Sequence, residues 1–113
     1  RLSPQVEVYY SKMKSYLAML IEDQQFEMGQ KGEWLYLDLY FFFPDRINRD
    51  SHNTLKALLD AMQDRCFVND YFIMPRIHTV ELDKENPRVF FELYRQTEED
   101  RQKALQYIGS LVY

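Results

Sequence analysis

The run Phe43-Pro44-Asp45-Arg46-Ile47-Asn48-Arg49-Asp50-Ser51-His52-Asn53-Thr54-Leu55-Lys56 joins a strand to a helix, and its reading decides the fold. Upstream, residues 33–43 alternate. Trp34, Tyr36, Asp38, Tyr40 and Phe42 fall on one face; Leu35, Leu37, Leu39, Phe41 and Phe43 fall on the other. That pattern predicts a long strand with one aliphatic, buried face and one aromatic, partly polar face. Pro44 ends it. Downstream, Leu55, Leu58, Leu59 and Met62 recur at helical spacing and predict a helix over 51–63. A second strand is expected at 71–82, so strand, helix and strand form a right-handed crossover unit.

Working outward, Ser3-Pro4 is a helix start, with serine as cap and proline at the first helical position. Val6, Tyr9, Tyr10, Met13, Leu17, Leu20 and Ile21 then give an amphipathic helix to about Gln25, expected to cover the sheet. Gly29 to Gly32 is a turn. Pro75 marks the second strand as an edge or a bulge. A third strand is expected at 88–94, pairing with the second as an antiparallel hairpin. Thr97 caps a final helix whose acidic first turn suits the helix dipole, with Leu105, Ile108, Leu111 and Val112 as its buried side. The expected fold is therefore α/β (α+β). A small mixed sheet with a β-α-β crossover and a following antiparallel hairpin is flanked by N- and C-terminal helices.

At 113 residues the chain is one domain with room for one core. Aromatics make up 16% of it, more than a small core needs, which points to a subunit interface. The net charge of −4 argues mildly against a non-specific nucleic-acid binder, although Arg46, Arg49 and Lys56 form a local basic cluster. One cysteine, Cys66, excludes an internal disulfide and a cysteine-rich zinc site, and makes a reducing, intracellular (cytoplasmic) setting the default. No apolar run approaches a membrane span, so no membrane partner is expected. With three glycines there is no glycine-rich phosphate loop.

The chemistry concentrates around Asp50. Asp50 precedes a helix N-terminus and His52 lies in its first turn, where two such ligands can converge on one cation. Carboxylates select Mg²⁺, and an imidazole tilts a site towards Mn²⁺. Asp70 is a further carboxylate that could complete the site, depending on strand direction. Lys56, one turn beyond His52, can offset charge on a phosphate, and Arg49 can contact a phosphate. These are the parts for metal-dependent phosphodiester cleavage. The plainer reading makes Asp50 an ordinary N-cap worth about 1 kcal/mol and His52, Lys56 and Asp60 a solvated face. Cys66 with His78 could suggest a thiol nucleophile, but nothing clearly activates the thiol, and a buried cysteine beside a structural histidine is the simpler reading.

Over these thirty residues the sequence resembles the RusA family of Holliday junction resolvases, found in phages and prophages. The family pattern is an apolar residue, Pro, Asp, a basic loop and Arg-Asp-x-Asp-Asn-x-x-Lys. An Asp-Ala pair late in the helix and an Asp-Asp pair before the next strand follow. Here it takes the form Phe43-Pro44-Asp45, Arg49-Asp50-Ser51-His52-Asn53-Thr54-Leu55-Lys56, Asp60-Ala61 and Asn69-Asp70. The resemblance implies a homodimeric, Mg²⁺-dependent endonuclease that nicks four-way DNA junctions in recombination and repair. It makes Asp50, Lys56 and Asp70 catalytic candidates and Asp50, His52 and Asp70 metal candidates. Arg46, Arg49, Asn53 and Lys56 become candidates for DNA contact.

His52 stands where the family has its second aspartate, and Asn69 replaces the first of the Asp-Asp pair. The loss of two negative charges predicts weaker Mg²⁺ affinity. Family members begin with a strand and a Pro-Pro-Ser-x-Asn loop, and that segment is expected to be lacking here. The alternatives are a family member that binds branched DNA, or a replication or recombination partner, without cutting, and a small interaction domain unrelated to nucleic acid.

Overall fold

A computed structural model describes residues 1–3, 13–46 and 50–106. Leu35–Phe43 forms β1, the centre of a three-stranded sheet. Ile73–Leu82 (β2) lies parallel to it on one edge, and Arg88–Arg95 (β3) lies antiparallel on the other. Ser51–Met62 (α2) carries the chain from β1 to β2, which makes the expected β-α-β crossover. Met13–Asp23 (α1) and Glu98–Leu105 (α3) are the flanking helices; of the expected N-terminal helix, 4–12 lie outside the described residues.

The mixed α/β class holds, with one correction to the pairing. β2 and β3 run in opposite directions but do not form a hairpin, because β1 lies between them. The five residues between the two strands can close a hairpin or step across one intervening strand, since two strand spacings are only about 10 Å. Burial decides between these. β1 is covered along almost its whole length, which a central strand achieves and an edge strand does not. The N–H of Asp83 donates to the Phe43 carbonyl (2.7 Å), closing the crossing over the end of β1.

The aliphatic face behaves as its alternation predicts. Leu35, Leu37, Leu39, Phe41 and Phe43 join Val89, Phe91 and Leu93 of β3, Leu17 and Leu20 of α1, and Leu58 and Met62 of α2 in one core. Leu2 pairs with Leu93 through reciprocal 2.7 Å hydrogen bonds and is fully buried. Pro75 sits on an edge strand, as expected, and β2 also bulges: Leu39 pairs with Ile77 but Tyr40 with Thr79, so His78 is the extra residue. The described part of α3 buries none of its residues, and Leu105, expected in its buried side, is 42% exposed. The other three residues of that expected side, at 108, 111 and 112, lie outside the described residues.

Candidate functional site

Asp50 is the N-cap of α2. Its Oδ1 accepts the Asn53 N–H (3.0 Å) and its Oδ2 accepts the Asn53 side-chain amide (2.6 Å). The Asp50 carbonyl accepts the Thr54 hydroxyl (2.9 Å). The carboxylate is therefore fixed in direction by one residue, Asn53, while Asp50 itself stays exposed. An ionised carboxylate has about four acceptor positions, so two hydrogen bonds leave capacity for a cation or a donor. His52, Lys56 and Asp60 are exposed on the same helix. Arg46 is exposed in the loop after β1, and Arg49 lies outside the described residues.

Asp70 opens a 3-10 turn, Asp70–Phe72, that leads into β2. Asn69 caps this turn, its side-chain oxygen accepting the Tyr71 N–H at 2.9 Å. Strand direction now places Asp70. Because β2 is parallel to β1, it starts at the end of the sheet opposite the loop that carries Asp50. α2 spans the difference, and twelve helical residues are about 18 Å long. Within one protomer the structure thus brings together Asp50, His52, Asn53 and Lys56 and sets Asp70 at the far end of α2. Among the described residues, no three His, Cys, Asp or Glu side chains converge to hold a metal.

A second polar cluster escaped the sequence reading. Asp38, 6% exposed, is the buried charged residue of the sheet's aromatic face. Arg76 binds it in bidentate fashion (Nε to Oδ1 2.6 Å, Nη2 to Oδ2 3.0 Å), and the Tyr94 hydroxyl donates to Oδ2 (2.7 Å). His78 Nε2 lies 3.0 Å from Oδ1; an ionised carboxylate only accepts, so that nitrogen carries the hydrogen. The His78 ring stacks on Tyr40, and the Arg76 guanidinium lies 3.7 Å from the centre of the Tyr36 ring. Burial pushes the Asp38 carboxyl up, but the hydrogen bonds from Arg76, His78 and Tyr94, with the arginine charge, outweigh it and hold the group below its ordinary value. The available signal was an aspartate in mid-strand with Arg76 and His78 two apart on another strand; only the sheet register joins them.

The thiol alternative loses its basis. Cys66 is fully buried, and burial pushes its pKa up to about 12. Its supposed partner His78 is engaged by Asp38 on the sheet's aromatic face.

Compared with protein families, the chain matches the model of endodeoxyribonuclease RusA over residues 2–94, which is most of its length. The chain belongs to the RusA family. The match runs through β1, α2, the Asp70 turn, β2 and most of β3, so it includes both ends of the candidate site. RusA membership implies a Holliday-junction-resolvase type of endodeoxyribonuclease, a family that binds branched DNA and is generally dependent on a divalent metal. The chain matches no curated protein and no solved structure. Among the described residues, no helix is long and apolar enough to cross a membrane.

Proposed function

We propose that this chain is a structure-specific endonuclease that nicks four-way DNA junctions as a homodimer, inside the cell, in recombination and repair. The observation that carries the reading is the RusA match over residues 2–94, which takes in Asp50, His52, Asn53, Lys56 and Asp70 together.

Asp50 and His52 have the donor chemistry of a divalent-cation site, and Asn53 holds the Asp50 carboxylate in place for it. Two donors on one helical turn do not complete a metal centre, and Asp70 is a helix length away in the same protomer. We infer that Asp70 enters the centre from a second copy of the chain, which gives the dimer a chemical reason. Asp50, His52 and Asp70 would hold Mg²⁺, or Mn²⁺ given the imidazole, which when bound would supply Lewis-acid chemistry at the phosphate. Lys56, one turn along α2, places a cation beside the phosphate and offsets charge that develops in the transition state. Arg46 and Arg49 bind backbone phosphates and orient the strand without reading its sequence.

The direct test is incubation of a labelled four-way junction with the protein and Mg²⁺ or Mn²⁺. Paired, symmetric nicks that disappear in EDTA support the reading. Tight junction binding without nicks under both cations points instead to a family member that binds branched DNA without cutting it.

A further inference from the structure

Beside Asp70 the surface carries three aromatic rings in mutual contact. Tyr71 is 70% exposed and Trp34 41%, and Phe72 is half-buried between them and the sheet. The Trp34 and Tyr71 ring centres are 5.7 Å apart, Trp34 and Phe72 5.3 Å, and Tyr71 and Phe72 5.1 Å, with planes tilted or edge-on. Edge-to-face packing uses the rim of one ring against the face of another and leaves outer faces open. We infer that these rings form a stacking platform for an unpaired nucleobase of branched DNA. The inference rests on the proposed function and names the part of the substrate that this surface takes.

Three observations support it. The backbone that carries the rings is held in place before any ligand arrives. Asn69 fixes the Tyr71 backbone, and the Ile73 N–H donates to the Asp70 carbonyl. The Trp34 carbonyl accepts the Gln96 N–H at 2.9 Å. A preformed aromatic surface loses little freedom on binding. Next, Trp34 also borders a cleft of about 280 Å³, lined by Arg95, Gln96, Thr97 and Arg101 and by the carboxylates Glu33 and Glu98. That space suits one planar base and is far too small for a duplex, and its walls offer amide, hydroxyl, guanidinium and carboxylate groups to the edge of a base. Arg95 is held by Glu33, but Arg101 is joined to Glu98 only by an exposed 3.4 Å pair, weak enough to exchange for a phosphate. Finally, Asp70 and Tyr71 are consecutive residues of one turn, so a base stacked here sets the strand beside the carboxylate assigned to cleavage. A base inside a duplex has no free face. A branch point supplies bases that unstack at low cost, and aromatic stacking accepts any of them.

Trp34 is the chain's only tryptophan, so its emission reports the platform directly. The full chain is titrated with a short oligothymidylate and with a four-way junction, following tryptophan emission and, in parallel, the anisotropy of labelled DNA. The expected result is emission that falls as either DNA binds, and oligothymidylate affinity about tenfold weaker in Tyr71→Ala, the loss of one base–aromatic stack. Junction binding and nicking with unchanged emission and unaltered Tyr71→Ala affinity would overturn the platform and leave the proposed function standing. Self-association weakened by Tyr71→Ala, with oligothymidylate affinity unchanged, would assign the rings to a second copy and also overturn it. Absence of binding to both DNAs would remove the platform and the proposed function together.

Discussion

Replacing Asp38 with asparagine keeps the shape of the side chain and removes its charge, which isolates the electrostatics of the sheet's polar cluster. Asp38 accepts two bonds from Arg76 and one each from His78 and Tyr94. Asparagine offers one acceptor oxygen and turns an amide donor towards groups that are themselves donors. Breaking a fully buried ion pair costs about 3–5 kcal/mol. The Arg76 side chain is 41% exposed, so solvent recovers part of that, and Asp38→Asn should destabilise by about 2–3 kcal/mol at neutral pH. The pH dependence follows from the direction of the shift. The folded carboxyl is held below its ordinary value of 3.8. Its contribution is therefore complete above that value and lost as pH falls through the lower, folded value. Urea denaturation of parent and variant from about pH 7 down to about pH 2.5 should show a gap that is constant to about pH 4 and then closes. A gap that stays the same at all pH values would refute a role for the charge.

Asp50→Asn retains an N-cap residue, so the helix should survive; junction cleavage should fall by on the order of 10²–10³-fold or more while junction binding persists, as gel shift and nicking assays would show. Junction affinity should drop steeply with added salt, because phosphate contacts release counterions; a flat salt dependence in anisotropy would contradict DNA recognition through Arg46, Arg49 and Lys56. Cys66, with its thiol pushed up to about 12 and no exposed surface, should resist an aromatic disulfide reagent at about pH 8 in the native protein and react once urea unfolds it. Thr97→Ala removes a capping box in which the Thr97 side chain accepts from the Asp100 N–H and the Asp100 carboxylate accepts from the Thr97 N–H. It should cost about 1 kcal/mol in chemical denaturation, with helical signal lost from α3 first.

What could be read from the sequence was what local chemistry encodes. The Asp50 cap, the apolar stripe of α2, the alternation of β1 and the Thr97 cap depend on neighbours within a few residues, and each occupies its expected place. The pairing of β3 was not legible, because a five-residue connection suits a hairpin and a strand-crossing equally well; only the near-complete burial of β1 separates the two. The Asp38 cluster was hidden for a related reason. Its partners lie 38, 40 and 56 residues away, and a bulge at His78 helps to set which residues face the carboxylate. The spacing of Asp50 and Asp70 along the chain suggested one site, yet parallel pairing of β1 with β2 sends them to opposite ends of α2.

That separation makes subunit mixing the most direct test of the candidate centre. Junction cleavage is measured for the parent, for Asp50→Asn, for Asp70→Asn, and for the two variants co-refolded together. If each centre combines Asp50 of one copy with Asp70 of the other, both variants are inactive alone, and the mixture regains single nicks from the one intact centre in each mixed dimer. A parent that leaves the junction whole with both Mg²⁺ and Mn²⁺, or a mixture as inactive as its components beside an active parent, would contradict the account.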